Sequence, residues 1–172
     1  MDMKNQESRT FRVDLQHVDG YQFRSQASED GRNHGAPYLS DEADPVGAAG
    51  APSTPALLSS AIGHCLSASL LETLRHARIP IDDLRTEVTA VVKLNAENKT
   101  RIDHIDVVLR PIVPAPSART ARCEETFQKQ CTITSSVRQG IDVRVRVEWG
   151  HSEPAASSEE SSRDGEVAAR PA

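Results

Sequence analysis

Leu58, Ala61, Ile62, Cys65, Leu66, Ser69, Leu70 and Leu74 recur at steps of three and four residues, the spacing that lines up one face of an α-helix. No other feature of the chain constrains its fold as strongly, because so broad an apolar face has to be covered by something. The helix has a clear start: Ser53 or Thr54 can cap it, and Pro55 suits the first helical position, where a missing N–H costs nothing. The pattern fades at Ile79-Pro80.

Strand-like segments flank this helix. Phe11, Val13 and Leu15 alternate with Arg12, Asp14 and Gln16; Tyr21 and Phe23 resume the alternation after Asp19-Gly20, a dipeptide suited to tight hairpins. Residues 25–51 are rich in Gly, Asp, Ala and Ser, with a third short strand expected around Pro37 to Leu39 and a loop through Asp44-Pro45 and Gly47. After the helix, Val88, Ala90, Val92 and Leu94 are expected to share one strand face, and Ile105, Val107 and Leu109 another, with Asn95 to Thr100 as the turn. Pro111, Pro114 and Pro116 interrupt the chain; Ser117 can cap a second helix running towards Cys131. A period-two strand is expected from Ile141 to Trp149. The order strands, helix, strands, helix, strand predicts an α+β fold with a mainly antiparallel sheet.

The length of 172 residues suits one domain. We expect a flexible N-terminus over residues 1–10, a folded domain over 11–149 and a disordered acidic tail over 150–172. The tail holds one Val and no aromatic residue, so ordering it would not be offset by burial. A net charge of −5 and a pI near 5.7 disfavour a nucleic-acid or anionic-membrane partner. No uninterrupted apolar run approaches the roughly 20 residues of a membrane span, and Met1 to Thr10 has no apolar stretch resembling a secretion signal. The expected location is cytoplasmic, with thiols kept reduced.

The cysteines are three, Cys65, Cys123 and Cys131, which argues against a disulfide-stapled scaffold. Cys65 on an apolar helix face reads either as a core thiol or as a reactive one. A second helix bearing Cys123, Phe127 and Cys131 at four-residue spacing gives weight to the reactive reading. Within one helix Cys123 and Cys131 would lie about 12 Å apart, beyond the roughly 7 Å a disulfide allows, so any disulfide should involve Cys65 unless that helix ends early. A buried thiol needs a nearby cation to ionise; Arg12, Arg24 and Arg138 are the candidates. His64, next to Cys65, points to a different side of the helix and reads as a flank residue. A metal centre built from the three cysteines and a histidine would need an assembled cluster, since no compact Cys-x-x-Cys spacing is present; neither a metal nor a cofactor is expected.

Three stretches carry a resemblance to a known family: Asp41-Glu-Ala-Asp-Pro-Val-Gly47, Pro52-Ser-Thr-Pro-Ala-Leu-Leu58, and Ala61-Ile-Gly-His-Cys65-Leu-Ser-Ala-Ser69. With the later run from Phe127 through Cys131 and Arg138 to Val143, they resemble the OsmC/Ohr family (osmotically induced and organic hydroperoxide resistance proteins), as a divergent branch, over roughly Phe11 to Trp149. The resemblance implies an OsmC-like α+β fold with two central helices in an intertwined homodimer. It implies thiol-dependent reduction of organic hydroperoxides or hydrogen peroxide, with Cys65 attacking the O–O bond and Cys131 resolving the sulfenic acid to a disulfide that an external dithiol reductant resets. The family's peroxidases carry a Glu just after the helix-opening Pro, where this chain has Ala56, and an activating Arg where it has Asp19-Gly20; Arg24 is the nearest substitute. Cys123 is an additional thiol, either buried in the helix or a third redox partner. The alternative function is a non-catalytic OsmC-like domain that binds a small molecule or senses redox state without the full Arg/Glu set.

Overall fold

The structure is a computed structural model and describes residues 8–113 and 118–139. Strands β1 (Phe11–Asp19), β2 (Gln22–Glu29) and β3 (Arg32–Ser40) form an antiparallel sheet in the order β1-β2-β3. Both turns have two residues: Gly20 takes φ +50°, and Asp30-Gly31 takes φ +47° and +80°. Positive φ is cheap for Gly and tolerable for Asp, which is why these dipeptides sit at the corners. The third strand is therefore longer than the short one expected. Arg9 forms an ion pair with Glu29, and the Thr10 N–H donates to Asp30 Oδ1 at 3.2 Å, so the entry to β1 is held at the far turn.

The loop from Asp41 to Ser53 delivers the chain to the first helix. Asp41 is buried, and its carboxylate accepts from the N–H groups of Glu42 (2.8 Å) and Gly50 (3.0 Å). Gly47 passes so close that a Cβ there would lie 2.3 Å from the Glu42 carbonyl oxygen and 2.7 Å from Asp41 Oδ1. Only glycine fits that approach.

Helix α1 (Thr54–His76) has Pro55 in its first turn, as the sequence predicts; Ser53 holds the N-cap position, but only its carbonyl takes part, accepting from the Leu57 N–H at 3.0 Å, and its side chain makes no capping bond. It is 23 residues long with a window of mean hydropathy 1.2, enough to cross a membrane by length and composition, so the expectation of no such segment needs correcting. Ile62, Leu66, Leu70 and Leu74 form the buried stripe. The hairpin β4 (Asp83–Leu94) and β5 (Thr100–Ile112) lies beneath, contributing Leu84, Ile105, Val107 and Leu109. Where α1 crosses β4, Gly63 faces Val88, and the Ser67 hydroxyl lies 2.6 Å from that of Thr86. A bulge between Val91 and Val92 reverses the alternation at the end of β4. Val92 and Leu94, expected to share a face with Val88 and Ala90, are exposed, and Val91 is partly buried instead.

The second helix is shorter than the sequence suggests. Helix α2 (Ala118–Phe127) gives way to a single 3₁₀ turn (Gln128–Gln130), and Cys131 is extended before helix α3 (Thr132–Gln139) begins. Three α-helices thus stand among the described residues where two were expected. The core joins the α1 stripe to Cys123, Phe127 and Cys131. Two antiparallel sheets with these helices make an α+β fold. Among the described residues, the β1-β2-β3 sheet packs over no extended area on the other elements. The expected Ser117 cap, the Ile141–Trp149 strand and the acidic tail lie outside the described residues.

Candidate functional site

Cys65 sits at the edge of the α1 stripe, half-buried, where the packed face turns into an open cavity of about 830 Å³. Its helical neighbours Ala61, Ala68 and Ser69 are small and leave that space. Gln130, Thr132 and Ile133, from the 3₁₀ turn and the start of α3, form the opposite wall, and Tyr38 of β3 reaches the same cavity.

Cys131 is the N-cap of α3. Its backbone is extended (φ −76°, ψ 103°), and its carbonyl accepts the first helical hydrogen bond, from the Ser135 N–H at 3.0 Å. An N-cap side chain ordinarily offers oxygen to the free N–H groups of the first turn. Here it offers sulfur: the Thr134 N–H donates to Cys131 Sγ at 3.4 Å, and the Thr134 hydroxyl lies 3.0 Å from the same sulfur. Cys131 is fully buried and Thr134 nearly so.

The break before α3 brings the two thiols together: Cys65 packs against the buried cluster that contains Cys131, and both are free cysteines. They also share the N-terminal end of α3, whose N–H groups and dipole favour an anion. The environments differ. Burial pushes the Cys65 thiol up from its ordinary 9.0; the neighbouring Cys131 adds to this, and the N–H groups of Ile133 and Thr132 oppose it. At Cys131 burial works in the same direction, but the Cys65 thiol, the Thr134 hydroxyl and the N–H groups of Thr134 and Ile133 outweigh it, and the thiol lies below its ordinary value. The anion of the pair belongs on Cys131.

The remaining candidates are scattered. Arg24, on β2, pairs with Gln16 and Leu39 in register, whereas Tyr38 pairs with Ser25. Adjacent strand residues face opposite ways, so Arg24 points away from the face whose Tyr38 reaches the Cys65 cavity. Arg12 is taken up by Asp14 at 2.6 Å, and Arg138 by Gln128 at 3.3 Å. Cys123 is buried with its sulfur 3.9 Å from the Thr73 carbonyl oxygen, about 12 Å along α1 from Cys65. His64 and Glu72 line the cavity, with Glu72 engaged by His76 at 3.0 Å. Among the described residues no three His, Cys, Asp or Glu side chains converge to hold a metal ion. The sequence reading missed Thr134, although Cys131-Thr-Ile-Thr134 has the N-cap-to-N3 spacing that would have revealed it.

A family model described as OsmC-like protein matches residues 47–146. No curated protein sequence is significantly similar to the chain. Among solved structures, an OsmC-like protein of unknown function from Vibrio cholerae has a TM-score of 0.57 at 12% identity, covering 76% of this chain and 93% of that one. An OsmC-like protein from Mycoplasma pneumoniae has a TM-score of 0.59 at 16% identity, over 78% and 89%. An organic hydroperoxide resistance protein from Legionella pneumophila has a TM-score of 0.54 at 11% identity, over 75% and 89%. At these identities the likeness is one of fold.

Proposed function

The chain belongs to the OsmC-like protein family, and from that membership we propose that it reduces organic hydroperoxides or hydrogen peroxide with Cys65 and Cys131, in oxidative-stress defence in the cytoplasm. The observation that supports this reading most directly is the packing of two free thiols from different elements beside a cavity large enough for a small organic molecule. The fold shared with a protein described as an organic hydroperoxide resistance protein is consistent with it. Cys65, the more exposed of the two, is the sulfur a peroxide can reach. Cys65 passes its proton to the Cys131 thiolate beside it and attacks one peroxide oxygen; the O–O bond breaks, and the departing oxygen takes that proton from Cys131 to leave as alcohol or water. Cys131 then attacks the sulfenic sulfur, hydroxide departs as water, and a disulfide forms. An external dithiol restores both thiols. The working unit is a homodimer, in which the uncovered β1-β2-β3 sheet packs against a second copy.

Intact-mass measurement after one equivalent of a hydroperoxide tests the pair. The protein should lose two hydrogens, and the loss should vanish in Cys65→Ser and in Cys131→Ser while persisting in Cys123→Ser. Loss of the change in Cys123→Ser would mean that the wrong pair has been chosen. Failure of the wild type to consume any of several hydroperoxides in the presence of a dithiol would end the peroxidase reading.

A second reading, a non-catalytic binding or redox-sensing domain, draws on the raised Cys65 thiol and on Arg24 facing away from the cavity. A thiol held protonated reacts slowly, which suits a sensor better than a fast enzyme.

A further inference from the structure

The Cys65–Cys131 chemistry just proposed leaves open how the two sulfurs divide their work, and a neighbour of Cys131 bears on that division. Cys131 is fully buried, so an external dithiol has no access to its sulfur, whereas Cys65 opens on the cavity. In the disulfide, the reductant must therefore attack Cys65, and Cys131 must be the sulfur that leaves. Thr134 stands at the leaving sulfur with its N–H at 3.4 Å and its hydroxyl at 3.0 Å. We propose that Thr134 is the positioning residue of this pair: it holds Cys131 as the thiolate that resolves oxidised Cys65 and that departs again on reduction.

The proposal rests on the peroxidase reading only for its reaction sequence, and each step balances. In resolution, the Cys131 thiolate forms the S–S bond to Cys65 Sγ as the S–O bond of the sulfenic acid breaks; hydroxide leaves and is protonated to water. In reduction, one thiolate of the dithiol bonds to Cys65 Sγ and the protein S–S bond breaks. The electron pair goes to Cys131, where Thr134 receives it. The second thiolate of the reductant then displaces Cys65, giving oxidised dithiol and the reduced pair. A leaving thiol of lower pKa departs faster, so an N-cap that stabilises the Cys131 anion assists both steps. Among the described residues, the charged or titratable neighbours are Cys65 across the pair, His64 and Glu72 along the cavity, Arg138 on α3, which is bonded to Gln128, and Asp103 and His104 of β5, which line a second hollow with Thr134. The uncharged hydroxyl of Thr134 supplies what a cation supplies elsewhere.

The test uses the full chain. In Cys65→Ser/Cys123→Ser protein only Cys131 titrates, followed by the ultraviolet absorbance of the thiolate. Adding Thr134→Val should raise the midpoint by about one pH unit, a tenfold loss of acidity, and Thr134→Ser should restore it. With all three cysteines present, reduction of the preformed disulfide by dithiothreitol should slow about threefold in Thr134→Val, for a Brønsted slope near one half. Should Thr134→Val fail to fold, Thr134→Ala reads the same quantities. An unmoved Cys131 midpoint, or one displaced as far by Thr134→Ser, would overturn the proposal. Neither measurement needs peroxide, so a protein that consumes none would sink the peroxidase reading and still leave the role of Thr134 decided.

Discussion

Two thiols that lie side by side at one helix N-terminus do not ionise independently, because the second charge has to form beside the first. Thr134 serves only Cys131, so the first proton leaves there and Cys65 stays protonated until higher pH. Because folding favours neutral Cys65, its contribution to stability is present below 9.0 and is lost as pH rises through the raised folded value. Alkylation of Cys65 by iodoacetamide, followed in Cys123→Ser protein by peptide mass, should therefore have a midpoint above 9.0. Cys131→Ser should lower that midpoint, since the neighbouring charge disappears while burial remains. A wild-type midpoint near neutrality would contradict this account. At this scale the sequence was informative about identity and poor about environment. Cys65 and Cys131 stood out, but the search for an activating group looked for cations, and the groups found here are backbone N–H and a hydroxyl, which no charge pattern advertises.

Helix α1 is positioned by its contact with β4 more than by its caps. At Gly63 an added Cβ would lie 2.6 Å from Val88 Cγ2, and a valine methyl has little freedom to yield. Ala in place of Gly is worth about 1 kcal/mol in helix propensity, while overpacking a tight contact costs about 1–3 kcal/mol. The steric term is the larger, so Gly63→Ala should destabilise by about 1 kcal/mol in urea unfolding. In a Val88→Ala background the clash is gone and the same change should stabilise by up to about 1 kcal/mol. The same sign in both backgrounds would show that the contact does not set the helix position. Elements like α1 and the hairpin turns were legible because their signals are local: Pro55 and a 3.6 period, Gly20, and the Asn95–Thr100 turn. The break at Gln128–Gln130 was not. Gln and Lys are good helix formers, and no Gly or Pro marks the spot; the chain leaves the helix there and Cys131 meets α1. The Val91/Val92 bulge was hidden for a similar reason, since the alternation of apolar residues runs through it without interruption. Asp30-Gly31 is a different case: it repeats the Asp-Gly signal of the first turn, but the small, polar residues around it obscured a nine-residue strand.

At the scale of the whole molecule, the β1-β2-β3 sheet needs an explanation that the described residues of a single copy do not provide. Directly opposed residues share a face, so Phe11, Val13 and Leu15 lie on one side of the sheet with Phe23 and Tyr38. Phe11 is 69% exposed and Leu15 61%. A monomer rarely leaves a contiguous apolar patch of this kind in water, and a sheet with so little packing against the other described elements gains little by standing alone. The face that carries Tyr38 also reaches the Cys65 cavity, so whatever covers the sheet borders the site. A second copy of the chain is the cover argued above, and it makes a definite prediction. The wild type should sediment as a dimer at micromolar concentration. Leu15→Asp, which places a charge in the middle of the patch, should shift it to monomer and lower its thermal stability, whereas Gln16→Asp on the opposite face should do neither. If Leu15→Asp leaves the sedimentation coefficient unchanged, the sheet is not the dimer interface; if Gln16→Asp dissociates the protein as well, the interface lies on the other face. Peroxide consumption measured on the same variants would add a link between assembly and chemistry. Loss of turnover with loss of the dimer would show that the second copy completes the cavity beside Cys65, and turnover by a monomer would show that the thiol pair suffices on its own.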